Sequence, residues 1–287
     1  MDGTERESNS SENLSPESPM RLESDERVRS YFQTLYRTWG RQHWWPAQSR
    51  FEVIAGAYLT QNTSWTNVEL ALASLRRANV LNVRGIRRTP LLKLERMIRP
   101  AGYFRQKAQR LKIFVRFLDT RYAGSLSRMF AQPTATLREE LLALNGIGPE
   151  TADSILLYAG HHPVFVVDAY TRRILERHQL ATADASYEDI REMFEQALQP
   201  LARSHPPQSL PSASESLAFS PPSSLVASQP RGSSHPPSRM STAKRTALVQ
   251  VFNEMHGLIV GVGKNYCKKS QPECEHCPLQ PFLPQAK

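Results

Sequence analysis

Cysteine is missing from the first 266 residues of this 287-residue chain; Cys267, Cys274 and Cys277 are the only three. An odd number crowded near one end argues against a secreted disulfide framework and for a metal site in a reducing compartment. Long apolar runs are missing too: nothing approaches the ~18 residues that suggest a membrane span. The first 20 residues, MDGTERESNSSENLSPESPM, are polar and acidic, without the basic start and apolar centre of a secretory signal. Strand signals are scarce, and the best of them, PVFVVDAY, is short.

What the chain does contain is positive charge and helical spacing. Residues 1–26 hold eight acidic and two basic side chains, a net of −6; with a chain total of +9, residues 27–287 carry +15. Such an excess suggests a polyanionic partner, nucleic acid before an anionic membrane surface. Val28, Tyr31, Phe32, Leu35, Tyr36 and Trp39 follow helical spacing behind Ser24 as an N-cap. The run FEVIAGAYL (51–59) reads as a central, tightly packed helix. Ser64 is expected to cap the next helix, Thr89-Pro90 to open another, and Thr136 with Glu139 to form a capping box. Ser186 and Asp189 open a further helix, and helical spacing returns near Ala243. These patterns give an all-α protein of ten or more helices.

The expected organisation is an acidic disordered tail over 1–23, a helical domain over 24–203 and a Ser/Pro-rich disordered insertion over 204–240. A C-terminal helix and cysteine loop over 241–287 complete the domain.

The segment LREELLALNGIGPETADSILLYA reads as helix, turn, helix. Gly146 and Gly148 permit a tight turn and close backbone approach, and the helix that follows turns free amides toward any anion. Such a hairpin can hold one nucleic acid strand through its phosphates, although a plain glycine-capped corner would look the same. Asp168 lies 18 residues after Glu150, ahead of a basic segment with Arg172 and Arg173. A carboxylate there can stabilise an oxocarbenium ion and activate water, or simply N-cap the next helix; the two are compatible.

LNGIGPETADSILLYA followed by VVDAYTRRIL resembles the helix–hairpin–helix DNA glycosylases of the endonuclease III superfamily. FEVIAGAYLTQNTSWTNVELAL, RPAGYFRQKAQRLK and CKKSQPECEHCPL extend the resemblance along much of the chain. It implies a two-lobed fold with a C-terminal cysteine loop, damaged double-stranded DNA as partner, a monomer, and an intracellular place with the DNA, cytoplasmic or nuclear. It makes Asp168 the catalytic carboxylate and has the amides of Gly146, Ile147 and Gly148 hold phosphate. Gln61 would fill the gap left by a flipped base, with Asn62 and the Lys268–Lys269 loop also on DNA.

Glu150 occupies the place of the lysine that gives bifunctional members their lyase activity. A carboxylate forms no Schiff base, so a monofunctional glycosylase is expected; Glu150 itself reads most simply as a first-turn helix acid. Trp44, Trp45 and Trp65 resemble the base pocket of the 3-methyladenine branch. An indole face attracts a cation by roughly 0.5–2 kcal/mol, which suits an alkylated purine. The alternatives are an endonuclease III-like glycosylase with AP lyase activity on oxidised pyrimidines, using a lysine outside the hairpin, and a non-catalytic module that only recognises lesions.

The cysteines read C-x6-C-x2-C, and the family's fourth thiol position holds Leu283. Three outcomes stay open: a [4Fe–4S] cluster with His256 or His276 as fourth ligand, a zinc site, or a loop without metal. The retained spacing of Cys267, Cys274 and Cys277 favours the cluster.

Overall fold

The computed structural model describes residues 19–204 and 235–284, and among them there is no strand. The Val-rich run that looked most like one, Val164–Val167, is buried and extended, but its amides bond to side chains of a neighbouring helix. Phe165 donates to Glu195 at 2.9 Å and Val167 to the Tyr187 hydroxyl at 3.3 Å. With no second strand beside it, the segment satisfies its backbone without a sheet.

The first helix, α1 (Pro19–Trp39), buries Val28, Tyr31, Phe32, Leu35 and Tyr36 along one face. It begins at Pro19, so Ser24 lies inside it and the expected tail yields residues 19–23 to the helix; residues 1–18 lie outside the described part. The central helix α2 (Arg50–Thr60) is buried from Phe51 to Leu59. Its cap is Ser49, whose hydroxyl accepts from the Glu52 amide at 3.1 Å. Ser64 takes the N-cap position of α3 (Trp65–Arg77), but its side chain makes no capping bond.

Two caps differ from the sequence reading. Thr89 closes α4 (Val83–Arg88), its hydroxyl donating to the Gly85 carbonyl at 2.8 Å, and Pro90 stands just outside α5 (Leu91–Met97). After α6 (Phe104–Tyr122) and α7 (Leu126–Met129), α8 (Thr134–Leu142) starts directly behind Pro133. Thr136 and Glu139 therefore sit within α8, and Pro133 takes the N-cap position in place of Thr136.

Helix α9 (Pro149–Ser154) runs on through a wider π turn, Ile155–Gly160. Next come α10 (Ala169–Arg177) and α11 (Tyr187–Ser204), the latter opened by reciprocal bonds between Ser186 and Asp189 at 3.0 and 3.2 Å. The last helix, α12 (Ala247–Asn265), is capped by Thr246 and buried from Val249 to Gly263.

These helices form two groups. One packs α2, α4, α5 and α7 against α6, with α3 on α2 and α5 and α8 on α9; the other packs α1, α10, α11 and α12, so the first and last helices share a lobe. The α9–π segment touches both groups and forms the seam. The expected insertion is shorter than its composition suggested. Ser204 is the last residue of α11, and residues 235–242 are packed: His235 donates to the Gln42 carbonyl at 3.2 Å, and Met240 to that of Ala47 at 3.0 Å. Residues 205–234 lie outside the described part. No helix among the described residues is long and apolar enough to cross a membrane.

Candidate active site

Asp168 is the N-cap of α10 and also faces the seam. Its Oδ1 accepts from the Thr171 amide at 2.8 Å and the Thr171 hydroxyl at 3.0 Å, and the Asp168 amide donates a long bond to the Thr171 hydroxyl oxygen. Its Oδ2 is left for the site and stands 3.4 Å from Nε2 of His256 on α12. Burial works against ionisation, but the His256 ring and the Thr171 donors outweigh it and hold the carboxyl below the usual aspartate range.

From His256 the arrangement continues into the aromatic residues. Its Nδ1 meets the Tyr158 hydroxyl, and its ring lies 6.0 Å from Trp44. Trp45 packs 5.2 Å from both Tyr158 and Trp65. The three expected indoles and the expected carboxylate thus belong to one cluster, joined through His256 and Tyr158. The degree of closure differs from a ready-made base pocket: Trp44 and Trp45 are each only 6% exposed, while Trp65 is half-buried and anchored by its indole N–H to Glu69 at 2.9 Å. On the open side, the Lys264 ammonium lies 5.9 Å over the Trp44 ring.

The loop that carries Trp44 and Trp45 is tied down from several directions. Glu254 of α12 accepts from the Gln42 amide and the Gln250 side chain, both at 2.6 Å, and pairs with Arg41 at 3.5 Å. Ser238 bonds the Ala47 amide at 3.2 Å and the Trp45 carbonyl at 3.4 Å. Beneath the loop, Gly56 of α2 makes room for Trp45: a β-carbon there would come within 3.2 Å of the indole.

The hairpin sits at the same seam. Gly146 has φ +82° and lies flat against Arg110, so a side chain is excluded twice over. Gly148 is different: its φ is −97° and a β-carbon would meet nothing within 4 Å, so the fold itself does not require glycine there. The Ile147 amide is spent within the turn on the Leu144 carbonyl at 3.1 Å. This corrects its expected role, since an amide already bonded is not free for phosphate; the open end of α9 leaves the Gly148 and Glu150 amides.

Gln61 also departs from a free wedge. Its amide donates to the Gly146 carbonyl at 3.0 Å and to Thr151 at 2.9 Å, and its oxygen accepts from Arg110 at 2.7 Å. It is bound to the hairpin, with exposed Asn62 (φ +53°) beside it. Glu150 lies in the first turn of α9, where burial and then the Asp168 charge push its carboxyl up to about 7.

The HhH-GPD superfamily model of base excision DNA repair proteins matches residues 55–200, a span that contains both the hairpin and Asp168. The chain belongs to this superfamily. The glycosylase is 36% identical over 259 residues to a Methanocaldococcus jannaschii protein named "Putative DNA repair glycosylase", covering 90% of this chain and 96% of that one. It is 25% identical to bovine endonuclease III-like protein 1, covering 84% of this chain and 61% of the relative. Among solved structures it is similar to Helicobacter pylori 3-methyladenine DNA glycosylase bound to 1,N6-ethenoadenine. That match has a TM-score of 0.62 and 27% identity, and covers 84% of this chain and 97% of the other. An endonuclease III–DNA covalent intermediate shares the fold, with a TM-score of 0.61, 18% identity and 90% and 95% coverage.

The resemblance to the endonuclease III superfamily implies a [4Fe–4S] cluster, so the cysteine loop of the glycosylase invites a test of fit. Cys267, Cys274 and Cys277 line one small recess together with Arg177, His178, Tyr266, Gln280 and Leu283. Leu283 does stand at the fourth corner, and an alkyl group is no ligand. His256 is engaged with Asp168 and Tyr158, and His276 is exposed. His178 lines the recess, but its Nδ1 lies 2.9 Å from the Tyr31 hydroxyl and the ring also bonds the Phe282 backbone. Among the described residues, no three His, Cys, Asp or Glu side chains are arranged to hold a single metal ion. With Leu283 in place of a fourth donor, these residues do not fit a cluster held by four protein thiolates. Lys268 is paired with Glu273, whereas Lys269 is exposed, with its carbonyl accepting from Arg177 at 3.2 Å.

Sequence reasoning missed His256, Tyr158, Arg110 and Lys264 as parts of this site. Spacing hides them, because each lies on a helix whose apolar pattern explains its position without chemistry. A histidine and a glutamate inside the nearly all-apolar stretch of α12 were the available signal, since buried polar groups are kept only when partnered.

Proposed function

We propose that this glycosylase is monofunctional and hydrolyses the N-glycosidic bond of an alkylated purine in duplex DNA. The observation that carries the reading is the continuous contact from Asp168 through His256 and Tyr158 to Trp44, Trp45 and Trp65. The Asp168 carboxylate offers a fixed negative charge to the oxocarbenium ion that forms as the bond breaks. Because Trp44 and Trp45 are nearly closed off, the base enters from the half-buried Trp65 side. A cationic N-alkylpurine gains from the indole faces and leaves as a neutral base, so a strong general acid is unnecessary. The likeness to a 3-methyladenine glycosylase holding ethenoadenine supports a purine lesion. The Gly148 and Glu150 amides at the start of α9 would hold a phosphate of the strand.

The test is a panel of duplexes, each with one defined lesion, assayed for free base. Release from 3-methyladenine or ethenoadenine, lost in Asp168→Asn while DNA binding persists, supports the reading and rules out a module that only recognises lesions. Release confined to oxidised pyrimidines overturns the substrate class.

A second reading has one observation behind it. Lys264 is near the Asp168 charge, and burial lowers its amine from the ordinary lysine range, a direction that favours a nucleophile. On that reading the chain is a bifunctional glycosylase with AP lyase activity. Borohydride trapping on abasic DNA separates the two, since a covalent adduct lost in Lys264→Ala would sink the monofunctional reading.

A further inference from the structure

We propose that the exposed face of α4 and α5 is a second DNA-contact surface, which holds the sugar-phosphate backbone of the same duplex beyond the lesion. The inference rests on DNA as the partner of the superfamily, and on neither the lesion nor the reaction at Asp168.

Residues 76–105 hold nine cations and one carboxylate, a net of +8 in a chain whose total is +9. The carboxylate, Glu95, is buried. Arg76 is paired with Glu52 and Arg87 with Asp119; the other seven cations are exposed and form no ion pair among the described residues. On α8 and α11, by contrast, Arg138 and Arg191 each meet carboxylates.

Helical register gathers the free cations. On α4, Arg84, Arg87 and Arg88 are spaced i, i+3 and i+4, opposite the buried Ile86. On α5, Lys93 and Arg96 share the side opposite the buried Leu94. Helix α5 packs on the 3-10 turn Arg99–Ala101, so Arg99 continues its stripe. Local electrostatics explains only part of this. Arg88 and Arg96 close their helices, where a cation suits the carbonyl ends. Arg84, Lys93 and Arg105 stand in the first turns of α4, α5 and α6, where the helix dipole disfavours positive charge. An external polyanion accounts for that placement, and duplex DNA offers one charge per ~1.7 Å of its axis.

The charged face is rigidly joined to the site through α6. Asp119 of α6 holds Arg87, and Lys112 donates to the carbonyls of Arg87 at 3.0 Å and Thr89 at 2.5 Å. From the same helix Arg110 reaches Gln61 at 2.7 Å and packs on Gly146. Arg105 stands five residues before Arg110, about 7.5 Å of helix rise. A duplex anchored at the hairpin therefore has the first of these cations close beside it.

Affinity is measured by fluorescence anisotropy on duplexes of 12 and 30 base pairs, each with a central tetrahydrofuran abasic site, between 50 and 250 mM KCl. Two triple variants are compared with the parent. One is Arg88→Gln/Lys93→Gln/Arg96→Gln. The other, Arg37→Gln/Arg128→Gln/Arg203→Gln, removes the same charge from exposed positions on α1, α7 and α11. The parent should bind the long duplex about 20-fold tighter than the short one at 100 mM KCl. The first variant should lose that gain, with a log–log salt slope shallower by about two, and the second should keep it within threefold. Both should melt with the parent, since all six side chains are exposed. Hydroxyl-radical footprints of the parent on the long duplex should show protected sugars beyond the central ones on one side, and the first variant should lack them. Equal losses in both variants would make the effect one of net charge. Equal losses on short and long duplexes would place these residues in the central footprint. Either result, an unchanged outer footprint in the first variant, or capture of a second duplex in place of one-sided protection overturns the proposal. No arm uses a cleavable lesion, so the surface and the reaction proposed above fail separately.

Discussion

Nε2 of His256 lies 3.4 Å from Oδ2 of Asp168, and Nδ1 of the same ring meets the Tyr158 hydroxyl. A residue of the last helix thus connects the candidate carboxylate at the start of α10 to the aromatic cluster. Removing the ring by His256→Ala takes away the largest group favouring the charged form of Asp168, so its pKa should rise. The sign follows from linkage: a depressed native carboxyl contributes stability above its unfolded pKa and loses it as pH falls through the native value. Acid unfolding of His256→Ala should therefore begin at higher pH than in the parent, measured by circular dichroism between pH 2 and 6.

Asp168→Asn separates the two tasks of that residue. Asparagine caps helices about as well as aspartate, so thermal stability should change by less than about 1 kcal/mol. The charge offered to the sugar is gone, and base release should fall about 10²- to 10⁴-fold in single-turnover assays.

The hairpin glycines should respond in opposite ways. Gly146→Ala forces a β-carbon into Arg110 at a left-handed φ and should cost roughly 1–3 kcal/mol in urea unfolding. Gly148→Ala meets open space at an ordinary φ and should leave stability unchanged. If strand phosphate approaches that open side, Gly148→Ala weakens DNA binding about tenfold; equal affinity would remove Gly148 from the interface.

The tryptophans divide by burial. Trp45→Ala empties a core position and should cost about 3–5 kcal/mol. Trp65→Ala should leave the fold in place yet slow release of an alkylated base, read by comparing melting temperature with single-turnover rate.

The cysteine recess offers a gain-of-ligand test. After anaerobic reconstitution, Leu283→Cys should show stronger absorbance near 400 nm than the parent and approach about four irons per chain. Equal iron in both proteins would mean that the fourth corner does not limit binding.

Helical spacing alone carried the all-α class, the central α2 and the cap pair Ser186–Asp189, because each has a local cause. The extended Val164–Val167 run, the best of the scarce strand signals, stays outside any sheet because side chains on α11 take its amide bonds. The start of α1 was obscured because Ser24 offered an equally good local cap. Residues 235–240 looked like linker, yet they are bonded to a loop nearly 200 positions earlier, which no local pattern records. At the site, motif positions marked Asp168, the hairpin and the tryptophans. His256 was read only as a spare metal ligand, since nothing local in α12 shows where its ring points.

The strap at 235–242 and α12 together supply His256, Lys264, Glu254 and Ser238, whereas Asp168, the hairpin and the tryptophans come from before residue 205. The candidate site is therefore assembled from two stretches of chain with 30 residues between them. A single backbone nick between residues 205 and 234 would cut none of the contacts described here. Two co-expressed fragments meeting at that point should find each other and rebuild a working enzyme that neither half contains by itself.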